Sequence, residues 1–97
     1  MKVTVILEAT ANDGRVDELI DMFRENFKQT RAYDGCLSVS MSQNQDDRNH
    51  LIIIMDWGTR EKYETYLQWR ADTGGVDKLT QLVGENFAIN YFDRLDA

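Results

Sequence analysis

Two residue types that often act as nucleophile, base or metal ligand occur once each in this chain, as His50 and Cys36. His50 follows Arg48 and Asn49 in a polar stretch, and one isolated histidine provides neither a metal site nor a catalytic triad. The sequence assigns Cys36 no helix N-terminus or cation that would activate a thiolate, which favours a small buried apolar side chain. We therefore predict no metal site and no reactive thiol.

Aromatic side chains near the middle of the chain are stronger candidates for a ligand site. Trp57 ends an apolar run, and Tyr63, Tyr66 and Trp69 follow it within one predicted helix. Tryptophan offers a stacking surface and tyrosine a hydroxyl that handles protons, which are roles that an apolar ligand pocket needs. The same side chains also fill the core between a sheet and its helices, and the sequence leaves both interpretations open.

Three further residues are candidates for contacting a ligand. Phe23 and Phe27 lie on the apolar stripe of an earlier amphipathic helix, on the side that faces the sheet. Arg70 is a candidate anchor for an acidic or carbonyl group at the mouth of a pocket. For an arginine in a helix of mixed charge, solvation or pairing with a neighbour such as Glu61 or Asp72 is the favoured interpretation.

The stretch from Leu51 to Trp57 has to position these residues. It contains five consecutive apolar residues, three of them β-branched, and it is too short for a stable isolated helix, so it predicts a strand. Residues 51–55 do not alternate between apolar and polar, which indicates that both faces of the sheet are covered here. Helices of the same chain would cover one face and a second copy of the protein the other.

The rest of the chain divides by hydrophobic spacing and turn residues. Asp13 is a candidate cap for the first helix, and Thr59 is a candidate cap for the second. The predicted elements are a strand at 3–7, a helix at 15–31, a strand at 36–42, the strand at 51–57, a helix at 60–71, a short helix at 76–83 and a strand at 86–95.

This order predicts one α+β domain over residues 1–97, a ferredoxin-like βαββαβ fold with a four-stranded antiparallel sheet and helices on one face. The other face would carry Ile6, Ile52 or Ile53, Ile54 and aromatic residues of the last strand. An apolar patch of that size is rare on a monomer. We therefore predict a homodimer with two-fold symmetry, formed through the sheet faces.

Composition argues against several partners. The chain has 11 basic and 17 acidic residues, a formal net charge of −6 and no basic cluster, which makes nucleic acid an unfavourable partner. A single cysteine excludes an internal disulfide framework. No run approaches the roughly 20 apolar residues of a membrane span and no signal segment opens the sequence, so no membrane is predicted as a partner and we expect a cytoplasmic protein.

Several short motifs resemble a known family. Val3-Thr4-Val5-Ile6, Asp34-Gly35-Cys36, and Trp57 followed by Thr59-Arg60-Glu61, in a chain of 97 residues, look like the antibiotic biosynthesis monooxygenase family of dimeric α+β barrels. The resemblance covers nearly the whole chain. It implies the fold and the dimer, and the family includes cofactor-free monooxygenases that oxidise polycyclic aromatic phenols to quinones, heme-degrading enzymes and small-molecule isomerases.

The quinone-forming members are similar to this chain in one spacing, because they pair a strand tryptophan with a tyrosine six residues later, as in Trp57 and Tyr63. The resemblance implies no cofactor, Tyr63 as a catalytic proton donor or acceptor, and Trp57 as the stacking wall for a small aromatic or polyketide-like compound. Those members also carry an asparagine four residues before the tryptophan, where this chain has Ile53. An isomerase on the same scaffold and a non-catalytic ligand-binding or structural dimer therefore stay open.

The heme-degrading members differ from this chain at two places. They use a histidine in the second helix as iron ligand, where Tyr66 and Leu67 stand here. They also carry an asparagine late in the first strand, where this chain has Ala9. We therefore expect no heme.

Overall fold

The structure, a computed structural model, describes residues 2–96. Its elements follow the predicted order: β1 (Val3–Thr10), α1 (Val16–Ala32), β2 (Cys36–Gln43), β3 (His50–Trp57), α2 (Arg60–Asp72), α3 (Gly75–Val83) and β4 (Phe87–Phe92). The first strand extends three residues beyond its predicted end, and the last strand stops three residues short of its predicted end.

The two predicted helix caps have different outcomes. The Thr59 side chain accepts a hydrogen bond of 3.1 Å from the backbone N–H of Lys62, so its role as the α2 cap is confirmed. The prediction for Asp13 is wrong, because α1 begins after Arg15 and no side chain caps it. Arg15 and Glu18 form an ion pair of 2.8 Å across that first turn instead.

The four strands form one antiparallel sheet in the order β2-β3-β1-β4, with the helices packed on one face. This is the ferredoxin-like βαββαβ plan, and the fold prediction is confirmed. The central pair is β1 and β3, in which Val5 lies opposite Met55 and Leu7 opposite Ile53. Because side chains alternate along a strand, this register places one set of residues from every strand against the helices.

The far face of the sheet is mixed in character. Ile6, Ile52 and Ile54 lie on it, whereas Ile53 is 1% exposed on the helix side. Of the two alternatives that the sequence leaves open for this face, Ile52 is therefore the one that lies on it. Its remaining positions are Phe92, Ala88, Thr4, Glu8, Thr10, His50, Asp56, Asn90, Ser38, Ser40 and Ser42.

Within one chain, β3 is buried on one face only. Leu51, Ile53 and Met55 are buried, but Ile54 is 37% exposed. The helices cover one face only, and within residues 2–96 no helix packs on the other face. Across residues 2–96, no helix combines the length and the apolar character that a membrane span requires.

Candidate functional site

A cavity of about 470 Å³ lies between the helix-facing side of the sheet and the three helices. That volume falls within the range of about 300–1,000 Å³ that is typical of small-molecule sites. The sheet supplies an apolar floor of residues that point to the same side in the register. These floor residues are Leu7, Ile53, Met55, Phe87, Ile89 and Tyr91.

The helices supply walls of two kinds. Apolar side chains from α1 and α3, including Phe23, Phe27 and Leu79, close one side. Phe23 and Phe27 stack with ring centroids 6.0 Å apart, four residues apart on one face of α1. The α2 wall is more polar, because Tyr63, Tyr66 and Arg70 all contribute to it. The predicted site residues among these therefore line the cavity, where they would contact a bound ligand.

Tyr63 lies near the start of α2, just after the Thr59 cap, and is 2% exposed. Its ring packs edge-on against Trp57 at 5.5 Å and against Tyr91 at 5.8 Å. Burial raises the pKa of Tyr63 well above its ordinary value, and the neighbouring Tyr91 and Tyr66 raise it further. Among the described residues, the Tyr63 hydroxyl has no hydrogen-bond partner. It is a neutral donor that is free for a ligand at neutral pH.

Trp57 lies behind this wall rather than in it. Its ring is fully buried and contacts Tyr63, Tyr66 and Tyr33, with the centroid of Tyr66 5.0 Å away. The indole Nε1–H has no hydrogen-bond partner in the described part of the chain. An unsatisfied buried donor costs about 1–3 kcal/mol. In this structure Trp57 supports the two tyrosines from the core, and a stacking role for it stays a prediction.

Arg70 connects α2 with α1. Its Nε donates to the Tyr66 hydroxyl at 2.8 Å, its NH1 to Gln29 Oε1 at 2.9 Å, and its NH2 to the Asn26 carbonyl at 2.9 Å. The hydroxyls of Tyr66 and Thr30 share a further hydrogen bond of 2.8 Å. Solvation or pairing with Glu61 or Asp72 is therefore not the arrangement that Arg70 adopts.

Trp69 also lies outside the cavity wall. Its ring covers the Arg70 guanidinium, with 4.7 Å between Cζ and the ring centroid, and lies 5.4 Å from the Tyr33 ring. Trp69 therefore holds Arg70 in place from the outer side. Direct contact of Trp69 with a ligand remains a prediction.

Among the cavity residues that are absent from the predicted site, Tyr91 and Thr30 each have a signal in the sequence. Tyr91 alternates with Phe87 and Ile89 on one face of β4, so the period of two places it on the floor. Thr30 lies three residues after Phe27 on the buried stripe of α1. Its polar side chain hides that position from a search for apolar periodicity.

In the described part of the chain, neither histidine nor cysteine lines the cavity. Within residues 2–96, no group of three or more histidine, cysteine, aspartate or glutamate side chains is arranged to hold a metal ion. His50 lies on the far face of the sheet, with Nε2 3.3 Å from the Glu8 carboxylate. Cys36 is half-buried, and burial raises the pKa of its thiol.

Comparison with known protein families identifies one family whose model matches this chain. The model of the family described as antibiotic biosynthesis monooxygenase matches residues 2–71, which run from β1 to near the end of α2. The chain belongs to the antibiotic biosynthesis monooxygenase family. The matched segment includes Tyr63, Tyr66 and Arg70, whereas α3 and β4 lie beyond it. No curated protein matches the chain.

Solved structures share the fold at low sequence identity. SnoaB, a cofactor-independent oxygenase from Streptomyces nogalater, is similar with a TM-score of 0.86 and 16% identity, over 99% of this chain and 95% of that one. A protein from Deinococcus radiodurans named for the monooxygenase family gives 0.86 and 22%, over 98% and 94%. A Mycobacterium tuberculosis protein gives 0.79 and 21%, over 100% and 98%. At these identities the likeness shows the fold.

Proposed function

We propose that this protein is a cofactor-independent monooxygenase that oxidises a small aromatic or polyketide-like compound in the cavity between sheet and helices. The observation that carries the proposal is the buried, neutral Tyr63 hydroxyl, without a hydrogen-bond partner among residues 2–96, on the wall of an apolar cavity of about 470 Å³. Membership of the family and the similarity to SnoaB support it. The cytoplasm remains the predicted location.

The chemistry requires the substrate to supply the electrons. In an anthrone, the reacting CH₂ carbon loses a proton to solvent and becomes an electron-rich enolate carbon that reduces dioxygen. One oxygen atom is retained as the new quinone carbonyl, and the other leaves as water with the two hydrogens of that carbon. The oxidant is dioxygen and the reductant is the substrate, so the reaction balances without a further redox group.

Tyr63 contributes as a hydrogen-bond donor in this scheme. Its raised pKa keeps the phenol protonated, so it is a poor base near neutral pH. A donor directed at the substrate carbonyl oxygen stabilises the charge that develops there when the enolate forms. The burial of Tyr63 therefore argues against the predicted role of proton acceptor and supports a hydrogen-bond donor that keeps its proton.

A non-oxidative enzyme is the second candidate, and Ile53 is the observation that favours it. Ile53 lies on the cavity floor, at the position where the quinone-forming members carry an asparagine. An apolar side chain there offers no hydrogen bond to an oxygen intermediate. The same Tyr63 donor would serve an isomerase, because enolate formation is a step that isomerisation and oxygenation share. A non-catalytic binding protein would keep the cavity and lack turnover.

The proposed assembly is a homodimer that pairs the far faces of two sheets. Ile6, Ile52 and Ile54 are adjacent on that face, and Phe92 is 48% exposed on β4. The surrounding serine, threonine and asparagine side chains suit an interface that combines apolar contacts with hydrogen bonds. A second copy fits the surface because a two-fold axis brings a patch against itself, so that isoleucine meets isoleucine.

Oxygen uptake with an anthrone substrate tests the proposed activity. We expect wild type to consume oxygen and Tyr63→Phe to lose about 10- to 1,000-fold in kcat, because one donor to the developing anion is removed. Tyr33→Phe is the matched control, since Tyr33 contacts Trp57 but does not line the cavity. No uptake by wild type across a panel of hydroxy-aromatic compounds would contradict the proposal. Enolate exchange without uptake would support the isomerase.

A further inference from the structure

Arg70 presents a positive charge to the cavity without a matching negative charge. All four of its hydrogen-bond acceptors are neutral: the Tyr66 hydroxyl, the Gln29 amide oxygen, the Asn26 carbonyl and the Thr30 hydroxyl at 3.4 Å. Within residues 2–96, no carboxylate forms an ion pair with it. The chain carries 17 acidic residues, so the lack of a partner is not a lack of acids.

The two α2 acids that are closest to Arg70 in sequence are engaged elsewhere. Asp72 accepts a hydrogen bond of 2.9 Å from Gln68, and Glu64, which also lines the cavity, lies 3.6 Å from Arg60. Arg70 is partly buried, and partial burial makes an unpaired charge less favourable than it is in water. The hydrogen bonds to Arg70 engage four of its five N–H donors but leave its charge uncompensated, so an anion at this point would gain more than a neutral group.

The guanidinium is also held in a fixed position. It lies near the rings of Trp69 and Tyr66, with Cζ 4.7 Å and 5.2 Å from their centroids, and it is hydrogen-bonded to both α1 and α2. Of the five N–H groups of an arginine, these contacts engage four. One NH1 hydrogen has no acceptor within residues 2–96. A donor that is already positioned loses little entropy on binding.

We propose that the ligand of this cavity carries an anionic oxygen, either a carboxylate or an ionised phenol, and that Arg70 binds it. The proposal rests on the proposed function, because it takes the cavity as the substrate site. Tyr66 lies between Arg70 and Tyr63, with its ring centroid 6.0 Å from that of Tyr63. The anionic group therefore binds on one side of Tyr66, and the carbonyl that receives the Tyr63 hydrogen bond lies on the other.

A pair of ligands that differ in charge and match in shape tests this directly. Isothermal titration calorimetry would compare 2-naphthoate with 2-naphthamide at neutral pH, without any turnover. We expect wild type to bind the carboxylate at least about tenfold more tightly, as expected for a charge-assisted hydrogen bond. Arg70→Gln should bring the ratio close to one, and Arg70→Lys should retain part of it because the charge remains. Arg24→Gln, on an exposed position of α1 outside the cavity, should leave it unchanged.

The affinity ratio separates ligand binding from a purely structural role for Arg70. Loss of the α1–α2 contacts would lower stability and weaken both ligands alike, whereas loss of anion binding changes the ratio. Equal affinities in wild type, failure of naphthoate to bind, or an unchanged ratio in Arg70→Gln would overturn the inference. An anion preference without oxygen uptake would leave it standing and contradict only the oxygenase. Oxygen uptake with a neutral anthrone but no anion preference would overturn the inference about Arg70 and leave the proposed oxygenase standing.

Discussion

At the scale of single residues, Tyr63 and Arg70 are complementary. Tyr63 is a neutral donor because burial opposes its ionisation, and Arg70 is a cation whose hydrogen-bond acceptors are all neutral. Together they would bind a substrate at two points of different polarity. The spacing of Trp57 and Tyr63 identified one of these residues, but the uncompensated charge of Arg70 depends on contacts with α1 that lie 40 or more positions away in sequence.

The raised pKa of Tyr63 predicts a specific response to alkali. Above about pH 10, an unfolded tyrosine loses its proton while buried Tyr63 retains its own, so stability falls as pH rises toward the folded pKa. One such group contributes a slope of up to about 1.4 kcal/mol per pH unit. Urea unfolding between pH 9 and about pH 11 should therefore show a shallower loss in Tyr63→Phe than in wild type. Equal slopes would contradict the assigned environment.

Five of the seven residues that the sequence predicts for the site line the cavity, but sequence patterns do not separate residues of the cavity wall from residues that support it. Trp57 and Trp69 carry the same aromatic signal as Tyr63 and Tyr66, yet the structure sets both tryptophans behind the wall. Periodicity reports the buried side of an element. It does not report whether a buried side chain meets another side chain or an open space, because that depends on how closely three helices approach one sheet.

At the scale of elements, the predicted order is correct because the apolar spacing of each segment agrees with its structure. The errors lie at the ends. The α1 start was misplaced because Asp13 is a good capping residue by type, but the turn continues through Gly14 before the helix begins. The last strand ends at Phe92 because residues beyond it have no partner in the sheet register, which pairs Phe92 with Thr4 near the start of β1.

Gly35 is the position where an element junction depends most on residue type. Its φ of +95° is unfavourable for other residues, and an added Cβ would lie 2.8 Å from Lys62 Cβ. We expect Gly35→Ala to lower the free energy of unfolding by about 2 kcal/mol, measured by urea titration. Gly58→Ala is the matched control, because an added Cβ there would lie 3.7 Å from the Gly35 carbonyl oxygen, an ordinary contact. Equal losses in the two variants would contradict this account.

At the scale of the whole molecule, the proposed dimer is the feature that requires a second chain. The strand at residues 51–57 was expected to be covered on both faces, and only the helix-facing side is covered within the chain. The strand register shows which of these residues face the helices. The sequence does not show it, because Ile52, Ile53 and Ile54 are the same residue type. Sequence alone therefore could not assign the middle isoleucine to the cavity floor.

A charge placed in the far face should dissociate the proposed dimer. We expect wild type to sediment as a dimer at micromolar concentration and Ile54→Arg to sediment as a monomer, because each chain would bury a charge in the apolar part of the proposed interface. Gln81→Arg, an exposed position on α3, adds the same charge elsewhere and should remain dimeric. A monomeric wild type, or an Ile54→Arg variant that still dimerises, would contradict the sheet-to-sheet pairing.

The central claim is that the protein catalyses the insertion of one atom of dioxygen into an aromatic substrate bound in its cavity, without a cofactor. Mass spectrometry of the quinone formed from an anthrone under ¹⁸O₂ tests it most directly, in the presence of a metal chelator and with heat-denatured protein as the control for spontaneous oxidation. We predict one labelled oxygen in the product and a rate above the control that Tyr63→Phe lowers. Unlabelled quinone, or a rate equal to that with denatured protein, would contradict the account.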